Sequence, residues 1–181
     1  MLEAFKDELR TETKYKTFPM TLSEYLHYFD EMMGPTEALF RLVPPDKIDW
    51  KPTEDSFTAG QLMAHIGGAL GAYGRGTTTG QWRFSSFEEV HALNQKTPAL
   101  TVDAAIENFR KNYAFYKDVV GRLTEEEFQS GELDTPQLGR VKRWRIAMMT
   151  IEHHLTHKTE LFMYLKMLKT PVSTRNLFDL R

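Results

Sequence analysis

Three short segments of this chain carry the same helix-start motif, and they constrain its fold more than any other feature. Each has a threonine followed three residues later by glutamate or glutamine, at residues 21–24, 58–61 and 124–127. In such a capping box the two side chains satisfy backbone N–H groups that the first turn of a helix leaves unpaired. Apolar residues flanking every motif are placed to form a hydrophobic staple. A helix is therefore predicted to begin at each of these threonines, a short one at the third.

Apolar residues at helical spacing predict four long helices. The first covers about residues 22–42, and the second starts after residue 58 and fades in the glycine-rich segment 71–76. The third covers about residues 102–122, and the fourth about 143–168. The third helix places six apolar side chains on one side, namely Ala105, Ile106, Phe109, Tyr113, Tyr116 and Val120.

Strand signals are weak by comparison. No segment shows clean alternation, and residues 82–84 and 132–134 are too short to build a sheet. The predicted fold class is therefore all-α, a four-helix bundle with long connections between helices. The connection over residues 77–100 is predicted to contain a short helix near residues 87–93, and it is either a functional lid or a disordered segment.

Charge and hydropathy exclude several classes of partner. The formal net charge is −2, which gives no long-range attraction for nucleic acid or for an anionic membrane. No apolar run approaches the roughly 20 residues that span a bilayer. Residues 1–7 lack the basic and then apolar order of a secretory signal. We therefore expect a cytoplasmic protein that binds neither nucleic acid nor membrane.

The lack of cysteine narrows the chemistry further, since the chain contains none. Disulfides, zinc–thiolate sites and cysteine nucleophiles are excluded. Any metal ion must bind to nitrogen and oxygen ligands. Any thiol that takes part in a reaction must come from outside the chain.

Two histidines one helical turn apart, His153 and His157, form the main candidate site. Positions four apart lie about 40° apart around a helix, so both imidazoles leave one largely apolar surface in the same direction. Unpaired polar groups are costly there, and either a metal ion or a set of hydrogen bonds would remove that cost. His65, among small residues of the second helix, could supply a third nitrogen. Three imidazoles suit zinc, nickel, copper or iron and leave coordination positions open.

The other histidines and one carboxylate have less specific patterns. His154 points about 100° away from His153 and is interpreted as a residue that supports the ligands or lies on the surface. His27 and His91 have no partner in the sequence and are interpreted as structural or exposed. Glu160 could orient a ligand or bind metal, but a carboxylate on the helix surface is the favoured interpretation.

A basic cluster precedes the last helix. Its cations could bind the carboxylates of a cosubstrate, although a solvated surface is the favoured interpretation. The cluster consists of Arg140, Lys142, Arg143 and Arg145. The last helix also has an apolar side that faces away from the histidines, and core packing or a symmetric dimer interface would explain it. That side consists of Trp144, Met148, Ile151, Leu155 and Phe162.

Two motifs make the chain resemble the DinB-like superfamily, which includes the YfiT-type metal-dependent proteins. The first is Trp-Lys-Pro at residues 50–52 followed by residues 55–66. It is similar to the family's tryptophan-x-proline, turn, and helix that ends in a ligand histidine. The second, residues 151–165, is similar to the family's closing helix, in which two histidines four apart supply the remaining ligands.

The resemblance implies a metal site formed by His65, His153 and His157, with nickel or zinc as the divalent ion. It also implies an up-down-down-up four-helix bundle and a homodimer. By the same resemblance, residues 1–181 are expected to form a single DinB-like domain whose core bundle covers about residues 20–170.

The chain departs from the family after the last histidine, where arginine, glycine and glutamine often follow. Residues 158–160 are instead lysine, threonine and glutamate. A glutamate in place of an amide could add a negative charge near the metal. The departure concerns the surroundings of the ligands and leaves the three histidines unchanged.

The resemblance further implies a metal-dependent enzyme that acts on small molecules, with catalytic residues left unassigned. Relatives in the superfamily include transferases and isomerases that use low-molecular-weight thiols such as bacillithiol, mycothiol or glutathione. A thiol-dependent S-transferase is the leading hypothesis. The alternatives are a metal-dependent hydrolase, in which water replaces the thiol, and a non-catalytic metal-binding stress-response protein.

Overall fold

The computed structural model describes residues 18–178, except for the side chains at positions 87, 88, 91 and 95. Its helices and strands follow the order α1 (Leu22–Met33), α2 (Thr36–Phe40), α3 (Ala59–Thr79), α4 (Phe87–Gln95), α5 (Val102–Gly121), α6 (Glu125–Ser130), β1 (Glu132–Thr135), β2 (Gly139–Lys142) and α7 (Arg143–Met167). Two short 3-10 helices, Pro45–Lys47 and Thr174–Leu177, lie in the connections. The all-α four-helix bundle is confirmed, because α1 with α2, α3, α5 and α7 supply its long helices.

All three capping boxes form as predicted. The threonine hydroxyl oxygens of residues 21, 58 and 124 each accept a backbone N–H from the residue three positions later, at 3.2 Å in every case. The carboxylate or amide oxygen of that later residue accepts the threonine N–H at 2.8–2.9 Å. These contacts fix the starts of α1, α3 and α6.

The first predicted helix is interrupted, and its prediction as one element over residues 22–42 is wrong. α1 ends at Met33, and α2 begins at Thr36 after Gly34 and Pro35. Proline has no N–H to donate to the preceding turn, so the α1 hydrogen-bond ladder cannot continue through it. The short α2 therefore starts anew beside the end of α1.

α3 is longer than predicted, because the glycine-rich segment 71–76 stays helical up to Thr79. A Cβ at Gly71 would lie 2.3 Å from Asn112 Oδ1, and one at Gly76 would lie 2.4 Å from the Trp82 ring. The bare backbone thus lets α5 and the following loop pack against α3, and this packing outweighs the low helix propensity of glycine. The helix ends at Gly80, whose φ of +70° places it in the left-handed region.

A two-stranded hairpin contradicts the expectation that residues 132–134 are too short for a sheet. β1 and β2 are antiparallel strands of four residues each, with Glu132 opposite Lys142 and Thr135 opposite Gly139. Leu133 packs against Gly80, at the end of α3. This long-range contact supports the hairpin, and a scan for local alternation could not detect it.

Aromatic residues of α1 and α5 pack the centre of the bundle and bind α7 to it. The Tyr25 hydroxyl lies 2.7 Å from that of Tyr116 and donates to the carbonyl oxygen of Ala147 at 2.8 Å. Tyr113 packs against the core, and the other members of the predicted apolar side of α5 are buried in it. The apolar side of α7 also packs in the core, where Trp144, Ile151 and Phe162 are buried. No helix within residues 18–178 is long and apolar enough to cross a membrane.

Candidate metal centre

The three predicted histidines meet in the groove between α3 and α7. Nε2 of His65 lies 3.1 Å from Nε2 of His153, and one nitrogen from each of these residues and from His157 lies within 4.8 Å of the others. Two nitrogens that bind one ion at about 2.0–2.1 Å lie about 2.8–3.0 Å apart at adjacent octahedral positions and about 3.3–3.4 Å apart in tetrahedral geometry. The 3.1 Å separation therefore fits a shared ion.

The antiparallel packing of α3 and α7 places these histidines opposite each other. At one end of the groove the Tyr164 hydroxyl lies 3.2 Å from the carbonyl oxygen of Phe57, just before α3. At the other end Arg143 Nη2 donates to the carbonyl oxygen of Thr78 at 3.4 Å. The histidines lie between these contacts, so the register of the two helices sets their spacing.

Glu160 orients His157 while 34% of its side chain stays exposed, so it is both a carboxylate on the helix surface and an orienting group. His157 Nδ1 lies 2.8 Å from Glu160 Oε2, and the Tyr164 hydroxyl donates to Oε1 at 3.0 Å. The hydrogen bond to His157 lowers the pKa of this carboxyl, so it accepts from the ring as a carboxylate. Donation from Nδ1–H leaves the lone pair on Nε2, which is then available to a metal ion.

Burial keeps the imidazoles of His65 and His153 neutral at physiological pH. It lowers the pKa of His65 to about 4, an effect that the charge of His157 increases and that of Glu160 opposes. The pKa of His153 is also well below its usual value, because of burial and then its histidine neighbours. Metal ions bind the unprotonated imidazole. The chemistry of this donor set therefore fits a divalent cation.

His154 and Lys158 lie on a different side of α7 and take no part in the cluster. His154 is 1% exposed, and its Nε2 lies 2.8 Å from the hydroxyl oxygen of Thr36. Lys158 is 2% exposed and donates to the carbonyl oxygen of Met32 at 2.7 Å. The interpretation of His154 as a possible surface residue is therefore wrong. Burial lowers the pKa of His154 to about 3 and that of Lys158 to about 8.

Two aromatic rings that the sequence analysis did not single out flank the histidines. Phe57 stacks on His65 with 5.1 Å between ring centroids, and Tyr73 lies 5.2 Å from His153. Tyr73 also packs edge-on against Trp82 at 5.5 Å. Phe57 is the apolar flank of the second capping box, and Tyr73 follows His65 by eight residues on α3. Those two positions are the signal by which the sequence could have indicated that these rings lie beside the histidines.

Burial raises the pKa of the Tyr73 phenol to about 12. The negative charge of Glu152 raises it further, and the positive charge of Arg145 opposes this. The phenol therefore lies within electrostatic reach of both side chains.

The predicted basic cluster is held largely by acidic partners. Arg140 Nε lies 3.2 Å and Lys142 Nζ 2.8 Å from carboxylate oxygens of Glu132 on the hairpin. Arg145 pairs instead with Glu152 on its own helix, at 3.0 Å. The first two pairs lie on the hairpin and the last lies on α7, so the cluster does not act as one surface.

His27, one of the two remaining histidines, takes no part in the described site. His27 is exposed on α1, 3.4 Å from Glu31, beside a shallow groove formed by residues 19–31. None of the residues that line this groove belongs to the histidine cluster. The side chain of His91 lies outside the described part of the chain.

Comparison with known proteins identifies the family. Residues 28–161 match the family model of the DinB superfamily. A crystal structure of the DinB-like protein YjoA from Bacillus subtilis is similar, with 20% identity and a TM-score of 0.61 over 81% of this chain and 92% of that one. A crystal structure assigned to the DinB family from Exiguobacterium sibiricum has 16% identity and a TM-score of 0.60 over 84% and 94% of the two chains.

Identities of this size support a common fold and nothing finer. A search of curated proteins found no match. The family model covers more than half of the chain and spans α5, the hairpin and both halves of the histidine cluster. The chain belongs to the DinB superfamily.

Proposed function

We propose that His65, His153 and His157 bind one divalent metal ion, zinc or nickel, and that the protein is a thiol-dependent S-transferase acting on small molecules. The observation that carries this proposal is the 3.1 Å distance between Nε2 of His65 and Nε2 of His153, two residues that lie 88 positions apart in the sequence. Two unprotonated imidazole nitrogens repel each other at this distance unless a proton or a cation lies between them. A metal ion satisfies all three rings together.

Three nitrogen ligands leave at least one coordination position for a substrate. When bound, the ion supplies a Lewis acid that lowers the pKa of a coordinated thiol or water. The surroundings of His65 allow access, because a Cβ added at Gly68, one turn later, would meet no atom within 4 Å. Phe57 and Tyr73 cover the flanks of the cluster and exclude water from those two directions.

The protein side chains favour a thiol over water as the nucleophile. Glu160 is the carboxylate in contact with the cluster, and it already accepts hydrogen bonds from His157 and Tyr164. It is therefore committed to holding a ligand and is poorly placed to remove a proton from water. A thiol has a pKa of about 8.5 against about 15.7 for water, so it needs far less assistance. The chain has no cysteine, so this thiol is a cosubstrate.

The proposed reaction transfers the thiol sulfur to an electrophilic carbon. A carbon–sulfur bond forms, the bond from that carbon to its leaving group breaks, and the thiol proton leaves with the departing group through solvent. Glu160 and Tyr164 hold the His157 ring during this exchange. No oxidant or reductant is needed.

Metal analysis of untagged protein tests the first part of this proposal. The wild type is expected to contain about one zinc or nickel ion per chain, and His153→Ala is expected to contain none. His27→Ala is the matched control, because it removes an exposed histidine outside the cluster and is expected to leave the metal content unchanged. Full metal content in His153→Ala would contradict the assignment.

Thermal unfolding and turnover of the metal-loaded protein test the second part. Bacillithiol, mycothiol or glutathione is expected to raise the melting temperature, since a ligand that binds only the folded state stabilises it. The effective thiol should then form a conjugate with an alkyl halide or an epoxide. Ester or amide cleavage without any thiol response would identify a hydrolase, and neither response would indicate a passive metal-binding protein.

A further inference from the structure

The loop before α3 reaches the histidine cluster through Phe57. The Phe57 ring stacks on the imidazole of His65, with 5.1 Å between ring centroids and 29° between ring planes. The same ring meets the imidazole of His157 edge-on, at 6.4 Å and 72°. Both separations lie within the range over which aromatic rings attract each other. One side chain that belongs to neither helix therefore packs against a histidine from each of them.

The backbone of Phe57 is tied to α7 by Tyr164. The Tyr164 hydroxyl donates to the carbonyl oxygen of Phe57 at 3.2 Å and to Oε1 of Glu160 at 3.0 Å. Burial and then the charge of Glu160 raise the pKa of this hydroxyl, so it keeps its proton and remains a donor. Glu160 in turn accepts from Nδ1 of His157. One hydroxyl thus joins the residue that stacks on His65 to the residue that holds His157.

Trp50, the first residue of the Trp-Lys-Pro motif, holds this loop against both helices. Its ring packs edge-on against that of Tyr164, with 5.5 Å between centroids. Its carbonyl oxygen accepts the backbone N–H of Ala59, at the start of α3, at 2.9 Å. The first turn of a helix leaves such N–H groups without an intrahelical partner. The motif, which the proposed reaction does not use, therefore anchors the loop that carries Phe57.

His65 needs a contact of this kind because it lacks the usual hydrogen bond. Ligand histidines almost always donate their second ring nitrogen to a carboxylate, a carbonyl or water, which fixes the orientation of the ring. His157 has this bond to Glu160. Among the groups that the structure describes, the only hydrogen-bond contact of the His65 ring is with His153, inside the cluster. Stacking on Phe57 restricts the rotation of the His65 ring instead.

We propose that Phe57 and Tyr164 form a clamp that positions His65 against His157 and so sets the affinity and the geometry of the metal centre. The inference rests on the proposed function and adds two residues that position the ligands without binding the ion. The ring of the clamp acts on His65 directly. Its hydroxyl acts through Glu160 on one side and through the backbone of Phe57 on the other. The two residues therefore work together, and loss of either should disturb ligands on both helices.

Cobalt(II) binding to the untagged protein tests the clamp. Competition with a colorimetric chelator measures the affinity, and the visible d–d absorption of the bound ion reports the coordination geometry, independently of turnover. Phe57→Leu removes the ring and Tyr164→Phe removes only the hydroxyl. Each is expected to lower the affinity about tenfold and to change the d–d spectrum. The double variant is expected to lose about 30-fold or less, whereas two independent supports would lose about 100-fold.

Two matched controls remove the same groups elsewhere. Tyr113→Phe also removes a hydroxyl that donates to a carboxylate, that of Asp30 at 2.6 Å. Phe18→Leu also removes a partly buried ring that stacks on another ring, that of Trp144 at 5.0 Å. None of these residues belongs to the histidine cluster, so both variants should keep the wild-type cobalt affinity and spectrum. Phe57→Tyr keeps an aromatic ring in the clamp and should keep the affinity within about threefold.

The outcomes separate the clamp from the proposed function. Wild-type affinity and spectrum in both Phe57→Leu and Tyr164→Phe would overturn the clamp and leave the metal centre standing. A lower affinity with an unchanged spectrum, or a loss of about 100-fold in the double variant, would also overturn it, because the residues would then act through general stability or separately. Recovery in Phe57→Tyr would distinguish loss of the ring from a failure to fold and would support the clamp. Failure of the wild type to bind cobalt would overturn the proposed function, and the clamp with it.

Discussion

Two pairs of polar residues on α7 have the same spacing and opposite environments. His153 and His157 face α3, where their ring nitrogens approach that of His65. His154 and Lys158 are each one position further along and face α1 and α2, where a hydroxyl and a backbone carbonyl bind them. The first pair has nitrogens that converge on one point, and the second has an ordinary partner for each residue. Spacing along a helix therefore does not distinguish ligands from structural residues.

The break between α1 and α2 makes the second environment possible. Because the helix stops at Met33, the carbonyl oxygen of Met32 lies in its last turn and lacks an intrahelical partner, and Lys158 donates to it. A cation at this position also interacts favourably with the helix dipole. Thr36 begins the next helix and reaches His154. One face of α7 thus stabilises the fold, and the other forms the candidate site.

Removal of one residue from each pair should separate metal binding from stability most clearly. His157→Ala is expected to lower metal affinity at least about 100-fold, since it removes one of three ligands. Lys158→Met is expected to keep the metal while changing only the free energy of unfolding, because the Met32 carbonyl loses its donor. Metal content and urea unfolding of both variants measure these effects. Metal loss in Lys158→Met would contradict the division between the two faces.

Addition of a chelator gives an internal control for that experiment. Removal of a bound ion should lower the melting temperature of the wild type and of Lys158→Met, because the ion binds only the folded state. The chelator should have no effect on His157→Ala. A shift of equal size in that variant would show that the stabilising ion binds elsewhere.

Removal of the Glu160 carboxylate, which orients His157, should have the next largest effect. Glu160→Gln replaces the carboxylate that accepts from His157 Nδ1 with a weaker, neutral acceptor. Metal affinity is expected to fall about 10- to 100-fold, as for other residues that orient a ligand histidine. Competition with a colorimetric chelator measures the affinity. Glu54→Gln, at an exposed loop residue paired with Lys51, should have no effect.

Thr36→Val tests the structural face by leaving His154 Nε2 unpaired at nearly constant volume. The free energy of unfolding is expected to fall by about 1–2 kcal/mol, the cost of an unsatisfied buried polar group. Metal content should remain at the wild-type level. Denaturant unfolding and metal analysis of one preparation provide both values, and an affinity change of more than a few-fold would couple the two faces.

The smallest effects concern α3, where adjacent glycines also differ in their surroundings. A Cβ at Gly67 would lie 2.8 Å from Asn108 Nδ2 and 3.0 Å from the backbone nitrogen of Phe109, whereas one at Gly68 would meet nothing within 4 Å. Gly67→Ala should therefore lower the free energy of unfolding by about 1–3 kcal/mol. Gly68→Ala should raise it by about 0.5–1 kcal/mol, because alanine has a higher helix propensity than glycine. Thermal unfolding should show shifts of opposite sign, and shifts of the same sign would contradict the packing.

Local signals predicted much of this fold and of the candidate site. The capping boxes gave three helix starts, because their hydrogen bonds lie within four residues. The helical spacing of His153 and His157, with His65 on another helix, gave the members of the cluster. In each case the physical cause lies within a few turns of chain, so a single sequence contains it.

Features that depend on contacts between distant segments were missed. The helical state of residues 71–76 depends on α5 and Trp82, and the hairpin depends on the contact between Leu133 and Gly80. The burial of His154 depends on Thr36, 118 positions away. Contacts between segments that are distant in the sequence decide all of these features.

The separation of the histidines along the chain has a consequence for folding. His65 and His153 are 88 residues apart and meet across two helices. An ion held by both would be a reversible cross-link in a protein that has no cysteine with which to make a covalent one. It would close about half of the polypeptide into a loop and restrict the unfolded chain as a disulfide does. The supply of metal during synthesis of the protein would then help to determine how fast α3 and α7 pack against each other.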